Sequence, residues 1–208
     1  MIPATEALER LREGNRRFAS DYRSRGPLQA RRRALEDGQE PFAIVLGCSD
    51  SRVPAEMVFD QSLGDLFVIR VAGNIVAPSQ IGSIEFAAEQ FGTRLVVVLG
   101  HSRCGAVMAT LEELQRPSGG KHSRNLRSIV DRIRPAVEGL LSGQAASDPD
   151  RLLEQAVRAN IRASAEQLKH GSEVLEQLIA TDGLVVVGAE YSLQTGVVDF
   201  FEGVVASA

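Results

Sequence analysis

Three side chains in this sequence have the types and spacing to hold a ligand together. His101 stands three residues before Cys104 in His101-Ser102-Arg103-Cys104, and Cys48 opens a second polar cluster, Cys48-Ser49-Asp50-Ser51-Arg52. Three residues is close to one helical turn, so a His-x-x-Cys at a strand-to-helix junction lets imidazole and thiol face one ligand. The two cysteines can be read as buried core thiols, as redox thiols or as metal ligands. As ligands, two thiolates and one imidazole leave a fourth position open, which is the donor set of a catalytic rather than a structural zinc. Asp50 favours that reading. A carboxylate two residues from a thiolate is a poor neighbour unless a cation neutralises it. Arg52 supplies a bidentate partner that keeps it ionised. Held there, Asp50 either takes the fourth position or accepts a proton from metal-bound water.

Each cluster follows an apolar run. FAIVLG (42–47) leads into Cys48 and LVVVLG (95–100) leads into His101, and LFVIRV (66–71) and LVVVGA (184–189) are runs of the same kind. They are rich in β-branched residues and lack alternation, as strands do when both faces are buried in a parallel sheet covered by helices. Helical spacing fills the intervals at 80–91, 104–114, 123–141 and 150–178. That order predicts an α/β domain with right-handed crossovers. SLQTGVVDFF follows the last run, and Gly196 turns the chain into a final edge strand. The expected fold is therefore α/β, one domain over 1–208, with a central mostly parallel sheet of four strands plus an antiparallel edge strand. Helices cover both faces, and a helical arm over 1–37 precedes the core at 38–208. The arm carries helices over 3–22 and 28–36, the first with Leu8, Leu11 and Phe18 on one face and Asn15 in the gap. If the strands ending at Gly47 and Gly100 are neighbours, Cys48, His101 and Cys104 meet at the carboxyl edge of the sheet, where such folds bind ligands.

Composition narrows the function classes. A hydrophobic share of 44% and a charged share of 24% belong to a globular chain, not a disordered one. A net charge of −4 argues against a sequence-independent grip on nucleic-acid phosphates. No apolar run approaches the roughly 20 residues of a membrane helix, and the first helix lacks the apolar core of a secretion signal. The expectation is a cytoplasmic protein without nucleic-acid or membrane partners. Ser118-Gly119-Gly120 reads as loop and not as a phosphate cradle, because no strand precedes it.

CSDSRVPAE (48–56) followed by GHSRCGAV (100–107) resembles the β-class carbonic anhydrases, and the resemblance runs from Gln39 through the C-terminal strand. It implies one zinc per subunit on Cys48, His101 and Cys104. Asp50 and Arg52 become the catalytic dyad, with Asp50 as a possible fourth ligand in a closed state. The implied reaction is reversible hydration of carbon dioxide to bicarbonate and a proton, by attack of zinc-bound hydroxide. Gln39 aligns with the glutamine that hydrogen-bonds substrate in plant-type members. Phe67 and Ala72 fall on apolar pocket positions beside Val71, and Phe86 stands where plant-type members carry a tyrosine. Gly105 matches a glycine that close backbone approach leaves without room for a side chain. The resemblance further implies a homodimer or a tetramer, with the glutamine contributed by the adjacent subunit and the first helix lying across the partner. Members inhibited by bicarbonate at a non-catalytic site carry a tryptophan three residues before the first cysteine. This chain has Val45 there and no tryptophan at all, so no such site is expected even though Arg70 is present. His122, in the polar stretch 115–125, is the candidate proton relay. Two rival functions stand beside this one. The first is a carbon disulfide or carbonyl sulfide hydrolase on the same scaffold. The second is a structural or redox zinc domain, which would not need Asp50, Arg52 and Gln39 together.

Overall fold

The computed structural model describes residues 2–22, 28–116 and 123–204. Ser118, Gly119, Gly120 and His122 lie outside them. Five strands form one sheet: β1 (Ala43–Gly47), β2 (Leu66–Arg70), β3 (Leu95–His101), β4 (Val185–Tyr191) and β5 (Val198–Glu202). Their order is β2-β1-β3-β4-β5. The first four are parallel, and β5 runs antiparallel to β4. The mixed α/β sheet expected from the sequence is the one observed.

Every residue of β1 and of β3 is buried, so the two continuous apolar runs have a neighbour on each side and helices on each face. Alternation along the strands divides them between two cores. Ile44, Leu46, Val96 and Val98 face the helices α4 (Pro78–Gln90), α5 (Gly105–Gln115), α6 (Arg124–Val137), α7 (Pro149–His170) and α8 (Glu173–Thr181). Ala43, Val45, Val97 and Leu99 face α1 (Ala4–Ala19) and α3 (Ala55–Val58). A short helix, α2 (Leu28–Ala34), lies outside both cores with no buried residue.

β2 departs from expectation. Phe67, Val68 and Ile69 are only half-buried and Arg70 is exposed, because β2 is the edge of the sheet. The single helix expected over 150–178 is two. The chain breaks at Gly171, and Ser172 caps α8 by accepting from the Leu175 amide. The helix expected over 123–141 stops at Val137, past an internal Pro135, and continues as a 3-10 turn over Glu138–Ser142.

The first helix packs on its own chain: its apolar stripe (Ala4, Ala7, Leu8, Leu11) is buried on the sheet. Asn15 completes that contact: its amide donates to Val58 O at 3.1 Å and Gly196 O at 2.9 Å, and its carbonyl accepts from Val198 N at 2.8 Å. Gly14 lets the helix come close, since a Cβ there would sit 1.8 Å from Phe59 O.

Candidate metal centre and active site

β1 and β3 are parallel neighbours, but the chain leaves β1 toward β2 on one side and leaves β3 toward β4 on the other, so the two connections diverge and open a crevice between their carboxyl ends. Cys48 follows β1 there, and His101 ends β3. Arg103, at φ +56°, bends the chain back so that Cys104 becomes the N-cap of α5. The turn is held to β4. The Ser102 amide donates to Tyr191 O at 3.0 Å, and Ser102 Oγ accepts from the Leu193 amide at 3.0 Å.

Cys48 Sγ and Cys104 Sγ are 4.0 Å apart, and the ligand atoms of Cys48, His101 and Cys104 all lie within 4.8 Å of one another. All three residues are buried. His101 Nδ1 faces the Ser102 carbonyl at 3.0 Å, a contact that needs the proton on Nδ1 and leaves the lone pair on Nε2. Nε2 is buried and has no hydrogen-bond partner among the described residues. In the neutral ring Nε2 is a buried acceptor without a donor, which is costly. Here it faces two sulfurs, a convergence that suits a borderline-soft cation. The thiols are themselves coupled: the hydrogen bond from Cys104 draws Cys48 down toward thiolate, and the same bond and burial push Cys104 up. Burial opposes a positive charge on His101, but the Cys48 sulfur outweighs it and raises its affinity for one.

Asp50 sits at the mouth of this cluster. Its Oδ1 accepts from the Arg52 amide at 3.0 Å and from Arg52 Nε at 2.9 Å, and its Oδ2 accepts from the Arg52 guanidinium at 2.7 Å. The Arg52 hydrogen bonds hold the carboxyl well below the usual carboxylate range. Oδ2 lies 3.8 Å from His101 Nε2. The expected pairing of Asp50 with Arg52 is thus present, and it stands against the Cys-His-Cys cluster.

Arg70, considered from the sequence only for a bicarbonate site, does something else. From the end of β2 it donates to Cys48 O at 3.1 Å and Asp50 O at 2.6 Å, tying the loop that carries both residues. Ala72 opens the 3-10 turn Ala72–Asn74, in which the Gly73 amide reaches Cys48 Sγ at 3.4 Å. Phe67 packs with Phe86 and Phe91 at ring separations of 6.2 and 5.9 Å, and Phe86 is 51% exposed. Gln39 lines a separate cavity of about 490 Å³ with Arg10, Phe42 and Phe91, which none of Cys48, His101 and Cys104 lines. The crowding expected at Gly105 is absent: a Cβ there would meet nothing within 4 Å.

A family model described as carbonic anhydrase matches residues 43–198, which include Cys48, Asp50, Arg52, His101 and Cys104. The chain belongs to the β-class carbonic anhydrases. Carbonic anhydrase 2 of Mycobacterium tuberculosis is 37% identical over 192 residues, covering 91% of this chain and 89% of that protein. A carbonic anhydrase of Mycolicibacterium smegmatis is 39% identical over 196 residues, covering 93% and 91%. Among solved structures, a tetrameric β-carbonic anhydrase of Sordaria macrospora superposes with a TM-score of 0.69 at 26% identity, covering 81% of this chain and 84% of that one. This carbonic anhydrase has, among its described residues, no helix long and apolar enough to cross a membrane.

Proposed function

We propose that Cys48, His101 and Cys104 hold one zinc ion per chain, and that the centre hydrates carbon dioxide reversibly to bicarbonate and a proton. The observation that carries this reading is the buried Nε2 lone pair of His101 facing two sulfurs, with an arginine-locked carboxylate beside it. Zinc, when bound, supplies the Lewis acidity that ionises water near neutral pH, an effect known best from histidine-ligated carbonic anhydrases of unrelated fold.

The chain's own residues do the rest. Asp50 Oδ2, on the side of the cluster nearest His101, accepts the hydrogen bond of the attacking water and orients its lone pair toward carbon dioxide. Arg52 keeps that oxygen ionised and in place. Arg70 fixes the loop through the Cys48 and Asp50 carbonyls. Val71, Ala72, Phe67 and Phe86 suit a small apolar substrate, and Gln39 suits the developing negative charge of bicarbonate.

Gln39 lies in a cavity away from its own chain's centre, which supports its contribution across a subunit interface. The open edge of β2 and the exposed Phe86 support a homodimer or a tetramer of two dimers, the latter matching the tetrameric Sordaria proteins. The test is stopped-flow hydration on zinc-loaded chain with carbon dioxide, carbonyl sulfide and carbon disulfide in parallel. Turnover of carbon dioxide alone is the expected result. Turnover confined to the sulfur substrates would transfer the centre to the rival hydrolase. Stoichiometric zinc without turnover of any of them would make it structural.

A further inference from the structure

The turn behind Cys48 is an unfavourable one to hold. Gly73 and Asn74 are both left-handed, with φ of +70° and +44°. A non-glycine residue in that region persists only where its surroundings hold it there. The conformation aims the Gly73 amide at Cys48 Sγ, 3.4 Å away. What holds the turn comes from α7. Asn160 Nδ2 donates to Gly73 O at 2.8 Å, and Ser164 Oγ donates to Asn74 O at 3.1 Å. The two residues are four apart, on one face of the helix. They are 2% and 4% exposed, and they interrupt a stripe otherwise made of Val157, Ile161, Ala165 and Leu168. A buried amide in an apolar stripe is costly unless paired. These two pair with the backbone of that one turn.

We propose that Asn160, with Ser164, is a positioning residue for the metal centre, fixing the Gly73-Asn74 turn through its two carbonyls so that the Gly73 N–H donates to the Cys48 sulfur. The proposal rests on the reading of Cys48 as a metal ligand. Two thiolates donate more charge to a cation than imidazoles do, which weakens its Lewis acidity. An N–H directed at one sulfur withdraws part of that charge, and a fixed turn holds the sulfur where the metal needs it. Hydrogen bonds to ligand atoms commonly change metal affinity by about 10- to 100-fold.

Cobalt(II) is the probe, because its thiolate charge-transfer band reports the electron density on sulfur. In Asn160→Leu the band should move to lower energy, and cobalt affinity measured by chelator competition should fall by about 10-fold. Ser164→Ala should move the band in the same direction by less, and it serves if Asn160→Leu does not fold. Leu168→Ala, a cavity in the same stripe that removes neither hydrogen bond to the turn, should lower stability and leave the band in place. An unmoved band and unchanged affinity in both polar variants would overturn the proposal, as would an equal shift in Leu168→Ala. A wild-type chain with no thiolate–cobalt band would overturn the metal reading itself, and the proposal with it.

Discussion

Replacing Asp50 by asparagine alters one atom at the point that matters. Oδ1 holds two of the three Arg52 hydrogen bonds and Oδ2 holds the third, so the amide places its oxygen at Oδ1 and its NH2 at Oδ2. The atom 3.8 Å from His101 Nε2 thereby changes from acceptor to donor, and it faces the Arg52 guanidinium donor to donor. A positioned base contributes about 10²–10⁴-fold to rate, so kcat/KM should drop by about 100-fold or more. The structural cost is small. Arg52 is 55% exposed, and an ion pair that open to solvent adds little to stability. In a chain of this size that moves Tm only slightly. Because Arg52 holds Asp50 below the usual carboxylate range, the carboxylate is ionised throughout pH 6.5–9 and is lost only as pH falls far below that window. Wild type and Asp50→Asn should therefore differ by a constant factor across that range. Stopped-flow carbon dioxide hydration, metal analysis and thermal melting on the same samples check all three statements. A variant with full metal content and kcat/KM within about threefold of wild type would refute the role given to Asp50 Oδ2, since that leaves almost none of the contribution of a positioned hydrogen-bond acceptor.

Other substitutions probe the frame around the site. Cys104→Ser should release most of the metal while the chain stays folded, because its burial requires a small side chain, not a sulfur; retention of one metal per chain would remove Cys104 from the ligand set. Asn15→Ala deletes three hydrogen bonds, two of them fully buried, between α1, Val58 and the β5 hairpin, and should cost about 3 kcal/mol in urea denaturation at about 1 kcal/mol each; a loss under about 1 kcal/mol would mean the bonds are not limiting. Glu190 is pushed up by burial, which outweighs the pull of Arg158. The folded chain thus holds that proton more tightly than the unfolded chain, and stability is lost as pH rises through the raised value. Glu190→Gln should gain stability relative to wild type from pH 4 to pH 8, and denaturation showing the reverse slope would refute the assignment.

The site was legible where its chemistry follows local spacing. His101 and Cys104 share a strand-to-helix junction, and Cys48 ends an equivalent strand, so adjacency of β1 and β3 was enough to unite them. Those strands were legible because burial on both faces leaves an uninterrupted β-branched run. LFVIRV reads the same way in β2, yet its outer side is the sheet edge, a fact of topology that no run of residues encodes. The break at Gly171-Ser172 was masked by apolar spacing that continues on both sides of it. Asn160 and Ser164 act on a turn 87 and 90 residues earlier in the chain, and the sequence reading passed over them; their one trace there is a polar intrusion into an apolar helical stripe. Arg70 was visible as a charge, but its partners are carbonyls, which leave no signature in sequence.

The central claim is that one zinc, held by Cys48, His101 and Cys104, carries the hydration of carbon dioxide. Its most direct test is to strip the protein of metal and add zinc stepwise while following both binding and stopped-flow hydration. Activity that rises linearly and breaks at one zinc per chain, and that fails to appear in Cys104→Ser, is the predicted result. Hydration by the metal-free chain, or zinc bound at one per chain without any rise in rate, would contradict the account.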